Sequence, residues 1–295
     1  MFYYCTNPEF TWEFAMQFFP KLNTYEDLSY MYQHATLAEQ ESYETSNVIM
    51  ENKYNIGGYN YNANPFRGAN LKYVKEFTLT ACDGAYATFA GCESLIKIGD
   101  CRFTGNRSST WGIDYLCNGC INLEEVGSIT SSATRESGKT IPMENAFEGC
   151  YKLRRVGALN FSTNNMNCAY YNCLALENEG LSFPYMGECT DIRNVLYNCK
   201  SLTQVNFETL AKVIYADGFL RSCESLTSVH LPDIGRDHPL QEIGSGFSGC
   251  KSLETITIGG ETLPIGLRNM SYLYSQCELL TNVIPIPNDF MYDVD

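Results

Sequence analysis

The sequence predicts an α/β solenoid: a curved right-handed stack of short coils, each with one short parallel strand, entered through a helical N-terminal segment. Three observations point there. A cysteine recurs with a bulky apolar residue three places before it, a leucine three after and a β-branched residue six after, as in Phe147, Cys150, Leu153 and Val156. The residues behind each leucine alternate in character, as in Leu226-Thr227-Ser228-Val229-His230-Leu231. Finally, Glu9 to Phe19 carries Phe10, Phe14, Ala15, Phe18 and Phe19 on a broad helical face that Pro20 ends.

In chain order, residues 1–81 read as degenerate repeats with helical segments. Asn23 or Thr24 caps a second helical stretch that runs through Met31 into His34–Gln40, with Glu26 and Asp27 in its first turn. Phe2 and Cys5 resemble the broken start of a coil, and Met31, His34 and Leu37 keep the frame with histidine at its centre. Phe66, Ala69, Leu71 and Val74 keep it with alanine there and one residue deleted. Between these lies an insertion rich in Asn, Tyr and Gly, 47–70, expected as an exposed loop whose tyrosines offer contact area.

Residues 82–284 hold the regular repeats. The frame cysteines at 92, 120, 150, 173, 199, 223, 250 and 277 are 28, 30, 23, 26, 24, 27 and 27 residues apart. With the degenerate copies the chain has about eleven coils, a rod on the order of 50 Å at roughly 4.8 Å per parallel strand. A coil this short buries an apolar face only against a neighbour. Val205 with Phe207, Val229 with Leu231 and Ile256 with Ile258 share the period of two that a half-buried strand requires. The copy at Cys173 is the poorest, with Glu179 at the β-branched place. Gly91, Gly119, Gly149, Asn172, Asn198, Ser222 and Gly249, each just before its cysteine, predict a left-handed corner. Longer insertions at 102–112 and 128–140, the second a flexible polar loop, are expected on a binding face. Residues 285–295 form a tail, and the whole reads as one continuous solenoid domain.

Fourteen cysteines in 295 residues are too sparse for a disulfide scaffold, and equivalent thiols one per coil suit a buried ladder beneath the leucines. The ladder predicts close to fourteen free thiols on denaturation without reductant. Cys82, Cys101, Cys168 and Cys189 lie off the frame. Cys117 and Cys120 form a CxxC, but both already have repeat duties, so zinc or redox chemistry is not expected there.

Phe-Ala-Gly-Cys-Glu-Ser-Leu (89–95), Phe-Glu-Gly-Cys-Tyr-Lys-Leu (147–153) and Phe-Ser-Gly-Cys-Lys-Ser-Leu (247–253) resemble the BspA-like leucine-rich repeats. Leu231-Pro232 and Leu263-Pro264 keep that family's coil openings. The resemblance covers 82–284 well and 20–81 loosely. It implies a non-enzymatic solenoid, found mostly on surfaces of gut and oral bacteria and some protozoa, used for adhesion or protein binding. It carries over no catalytic, cofactor or metal-binding residues.

The residues agree. His34, His230 and His238 share no metal-ligand spacing, and no G-x-S-x-G elbow or phosphate loop is present. A net charge of −14 argues against nucleic acid and anionic membrane as partners, and no apolar run reaches 18 residues. The first residues show no secretory signal, so the chain is expected either to stay where it is made or to be a piece of a longer one. The expected function is a binding or adhesion module for a protein or glycan, on a bacterial surface or secreted. The alternative is a structural part of a larger assembly, such as a virion or tail-associated protein, in contact with other chains.

Overall fold

The computed structural model describes residues 47–51, 66–68, 72–80, 86–104 and 112–287. The helices expected within 8–40 and the copies at Phe2 and Met31 lie outside them. Among the described residues ten parallel strands make two sheets. The first holds β1 (Asn47–Glu51), β2 (Tyr73–Thr80), β3 (Lys97–Thr104), β4 (Glu125–Val126), β5 (Ile129–Ser131), β6 (Arg155–Val156) and β7 (Leu159–Asn160); the second holds β8 (Gln204–Asn206), β9 (Ser228–Leu231) and β10 (Thr255–Ile258). Register runs straight through the repeat, with Val205 opposite Val229 and Val229 opposite Ile256.

The molecule is therefore a β-solenoid, and the α/β expectation is corrected. Among the described residues the helical content is one 3-10 turn, Asn178–Gly180. The cause lies in the arc that leads into each cysteine. A left-handed residue sits one place before the cysteine, at all seven corners read from the sequence (Gly91 φ 70° to Gly249 φ 80°). A second sits five places before it: Ala87, Tyr115, Asn145, Cys168, Asn194, Gly218, Ser245 and Tyr272, with φ from 48° to 63°. Two left-handed residues in each arc stop an α-helix from propagating. The arc's alternate N–H groups instead donate to the next coil, as Gly218 N does to Gly244 O at 2.8 Å.

The interior is built from three columns. The residue two places before the corner (Phe89, Phe147, Leu220, Phe247), the ladder cysteine and the leucine three places after it are inaccessible in the interior coils. Phe219 and Phe247 meet edge to face at 5.2 Å, and Phe147 stacks on Tyr170 at 5.3 Å. All twelve described cysteines are free thiols.

Two expectations fail where the frame decays. The segment 47–51 is a strand paired with β2 rather than exposed loop, because the sheet takes one more row from it. The coil of Cys173 carries the 3-10 turn in place of a strand, leaving Glu179 exposed and Gly180 buried. A Cβ on Gly180 would collide with the Arg154 carbonyl, so the chain there lies flat against the coil before it. Here the two sheets part. The last coil departs too, since Val283, at a core place of the frame, is 62% exposed.

Candidate binding cleft

The insertion at 128–140 starts as β5 and then turns outward. It is not a loose loop: Thr134 N donates to Ser137 Oγ at 2.9 Å, and Ser137 Oγ donates back to Thr134 O at 2.8 Å. Both ends are anchored, Ala133 O accepting from Ser162 N and Ile141 N donating to Ser162 O. Such reciprocal Ser/Thr turns hold a short polar loop in one shape.

Beneath the loop is an open cleft of about 350 Å³, closed on its far side by the stretch 183–185 and by Glu208. Leu159 and Phe161 supply a buried apolar floor, and Phe183 lies against Phe207 at 5.0 Å. The Arg135 guanidinium stands 4.7 Å over the Tyr185 ring. Tyr185 is held by its backbone, donating to Phe161 O at 2.9 Å and accepting from Thr163 N at 3.0 Å. Gly187 leaves the space its ring fills, since a Cβ there would strike the phenol. On the rim, Asn160 and Glu208 are exposed and make no side-chain hydrogen bond among the described residues. The cleft thus joins an aromatic wall to a guanidinium, a carboxylate and an amide that face solvent, a combination suited to a neutral polyhydroxylated or amide-bearing ligand.

A second polar surface, along the arcs, is already satisfied internally. Arg193 pairs with Asp191 at 2.6 Å and lies 5.3 Å over Tyr215. Asn269 donates to Asp217 at 3.1 Å across two coils. Burial and the neighbouring Glu242 push the Asp217 carboxyl up to about 6. Asp114, with Glu144 N donating to its Oδ1 at 2.6 Å, is pushed up to about 8, chiefly by burial.

The other chemistry-bearing residues weighed from sequence are not brought together. His230 points outward from β9, hydrogen-bonded to Thr257 Oγ1 at 2.8 Å. His238 sits in its loop between Leu210 O and Leu240 N, at 3.0 and 3.1 Å. Cys117 and Cys120 are both buried, and no group of three metal-ligating side chains occurs among the described residues. Nor is any helix among them long and apolar enough to cross a membrane. His34 and the tyrosines of 47–70 (Tyr54, Tyr59 and Tyr61) lie outside the described residues. Phe183 and Tyr185 escaped the sequence reading because they follow the coil in which the frame is weakest.

A family model described as a BspA type leucine rich repeat region, in six copies, matches residues 114–237 and 192–292. Among solved structures, the chain is similar to a leucine-rich repeat protein of T. pallidum, with 18% identity and a TM-score of 0.41, covering 71% of this chain and 79% of that one. It is also similar to a leucine-rich cell surface protein of Faecalibacterium prausnitzii A2-165, with 14% identity and a TM-score of 0.24, covering 77% and 90%. No curated protein matches.

Proposed function

Since the chain belongs to the BspA-type leucine-rich repeat family, we propose that it is a non-enzymatic binding module that presents the cleft under the 132–140 loop to a glycan on a partner surface. The observation that carries this reading is the tied loop, which holds Arg135 over Tyr185 beside the unpaired Asn160 and Glu208. A rigid aromatic wall takes the apolar face of a sugar at low entropic cost, while the amide and carboxylate take its hydroxyls. A volume of about 350 Å³ suits one or two sugar rings at the end of a chain. The acidic surface turns away polyanionic glycans, so the ligand is neutral or amino-bearing.

The test is a glycan array read with the labelled protein, repeated with Tyr185→Ala and Glu208→Gln. Neutral or amino sugars should be retained by the native chain and lost at least tenfold with either variant. Retention unchanged by both variants, or no retained glycan at all, removes the cleft from consideration.

A further inference from the structure

The stretch 207–213 after β8 and the loop 232–240 after β9 are equivalent places in successive coils, and the loop grips the stretch at one residue. Leu210 N donates to Asp233 Oδ2 at 3.0 Å, beside Thr209 Oγ1, which donates to the same oxygen at 2.8 Å. Leu210 O lies 3.0 Å from His238 Nε2. The loop is also fixed to the following coil: Gly260 N donates to Ile234 O at 2.7 Å, and Ile265 N to Arg236 O at 3.0 Å.

The backbone partners dictate the state of the imidazole. A carbonyl can only accept, so Nε2 carries a proton and donates to Leu210 O. A backbone N–H can only donate, so Nδ1, 3.1 Å from Leu240 N, is the bare nitrogen. The grip therefore needs neutral histidine. A second proton has to go on Nδ1, where it meets the Leu240 N–H, donor against donor. Leu240 is buried, and an N–H left there without an acceptor is costly, so the ring and its loop have to move.

We propose that the 232–240 loop is a proton-operated clasp, closed on Leu210 while His238 is neutral and released when the ring takes a second proton. Burial holds the His238 pKa below its ordinary 6.5, against the Leu210 carbonyl and the Asp233 carboxylate, which favour the charged form. The other charged groups on the packed stretches are Arg236 and Asp237 of the loop, Glu208 and Lys212 before it, and Glu261 and Arg268 after it. Lys212 is paired with Glu188 at 2.6 Å. An opened loop returns the ring to water and to an ordinary pKa, so it holds more protons than the closed one. The closed state is thus at full strength above pH about 6.5 and weakens as pH falls below it. Glu208, on the rim of the cleft, stands two residues before Leu210, so an open clasp lets that rim move. That last step rests on the reading of the cleft, whereas the clasp stands without it and is tested without ligand.

The test is amide hydrogen exchange on the full chain at about pH 7.5 and about pH 5, expressed as protection relative to the intrinsic rate at each pH. Protection of Leu210 N and Leu240 N should fall about fivefold or more at the lower pH. Tyr170 N, bonded to Val195 O at 2.9 Å in a distant coil, should keep its protection. His238→Asn, whose Oδ1 can accept from the same N–H two residues on without titrating, should abolish the fall. Nitrogen chemical shifts of the native ring should show the Nε2–H tautomer at about pH 7.5 and a titration midpoint below the ordinary 6.5. Protection unchanged by pH, a fall retained in His238→Asn or shared equally by Tyr170, the Nδ1–H tautomer, or an ordinary midpoint overturns the proposal.

Discussion

Each ladder thiol donates to a carbonyl of the coil before it. Cys92 Sγ reaches Phe66 O at 2.9 Å, Cys150 reaches Cys117 O at 3.1 Å and Cys223 reaches Leu196 O at 3.2 Å. That carbonyl already accepts the N–H of its own coil's cysteine, as Leu196 O does from Cys199 N at 3.1 Å. Cysteine is thus selected over valine or alanine because it fills an apolar column and also occupies a second lone pair. Burial raises the Cys173 and Cys223 thiols further out of reach of ionisation, which keeps them donors. Replacing Cys223 by alanine loses the bond and leaves a small void, and should cost about 1–3 kcal/mol in urea unfolding. Leu226→Ala, one step along the core, should cost about 2–5 kcal/mol, whereas Ser225→Ala between core places should cost little. Asp114 makes a prediction of opposite character. Its folded value of about 8 lies above the ordinary carboxyl value of about 4, so between these the folded chain holds more protons than the unfolded one. Its contribution is full below pH about 4 and is lost as pH rises toward 8. Asp114→Asn keeps the acceptor for Glu144 N without the charge. Its urea midpoint should exceed that of the native chain at pH 8, and the two should converge toward pH 4; parallel profiles would show that the carboxyl titrates normally.

At the scale of an element, the strands are limited by how closely backbones approach at their ends. β4 and β5 are two halves of one arm broken at Gly127, and β6 and β7 are halves of the next broken at Gly157. A Cβ on Gly157 would stand 2.7 Å from the Gly127 carbonyl carbon and the Ser128 nitrogen. Both are backbone atoms that cannot rotate away, so Gly157→Ala has to part the two coils and should cost about 2–4 kcal/mol. Gly138, at φ 66° with nothing within 4 Å of its Cβ position, should lose only about 1 kcal/mol on the same change. Thermal melting of both variants separates the two causes. The corner before each cysteine was legible in the sequence because Gly, Asn and Ser stood there repeatedly. The corner four residues earlier was not, since Ala87, Tyr115, Cys168 and Tyr272 share no chemistry, and the ladder to the next coil imposes the conformation on them. That missed corner gives each arc its second turn. The cleft was half legible: its loop announced itself as an insertion at 128–140, but its wall comes from 183–185, where Glu179 and Gly180 interrupt the pattern that located everything else.

For the whole molecule, stability is a sum over neighbours, so position along the stack should set how easily a coil opens. An interior coil such as that of Cys223 has both faces covered: its arc donates forward to the Cys250 coil, and its thiol donates backward to Leu196. The coil of Cys277 has one covered face, with Tyr274, Cys277 and Leu280 only half buried where the interior equivalents are inaccessible. Losing that coil replaces one half-exposed end face by another, and leaves the Cys250 coil with a single covered face in its turn. Opening should therefore begin at 263–287 and proceed toward the N-terminal side rather than occur everywhere at once. Native-state hydrogen exchange at low denaturant provides the measurement. Phe247 N, bonded to Leu273 O at 3.0 Å, should exchange by an opening at least tenfold more populated than that of Tyr170 N, bonded to Val195 O at 2.9 Å. Equal protection of both amides in dilute protein would mean that the stack unfolds as one unit, and the nearest-neighbour account would not hold.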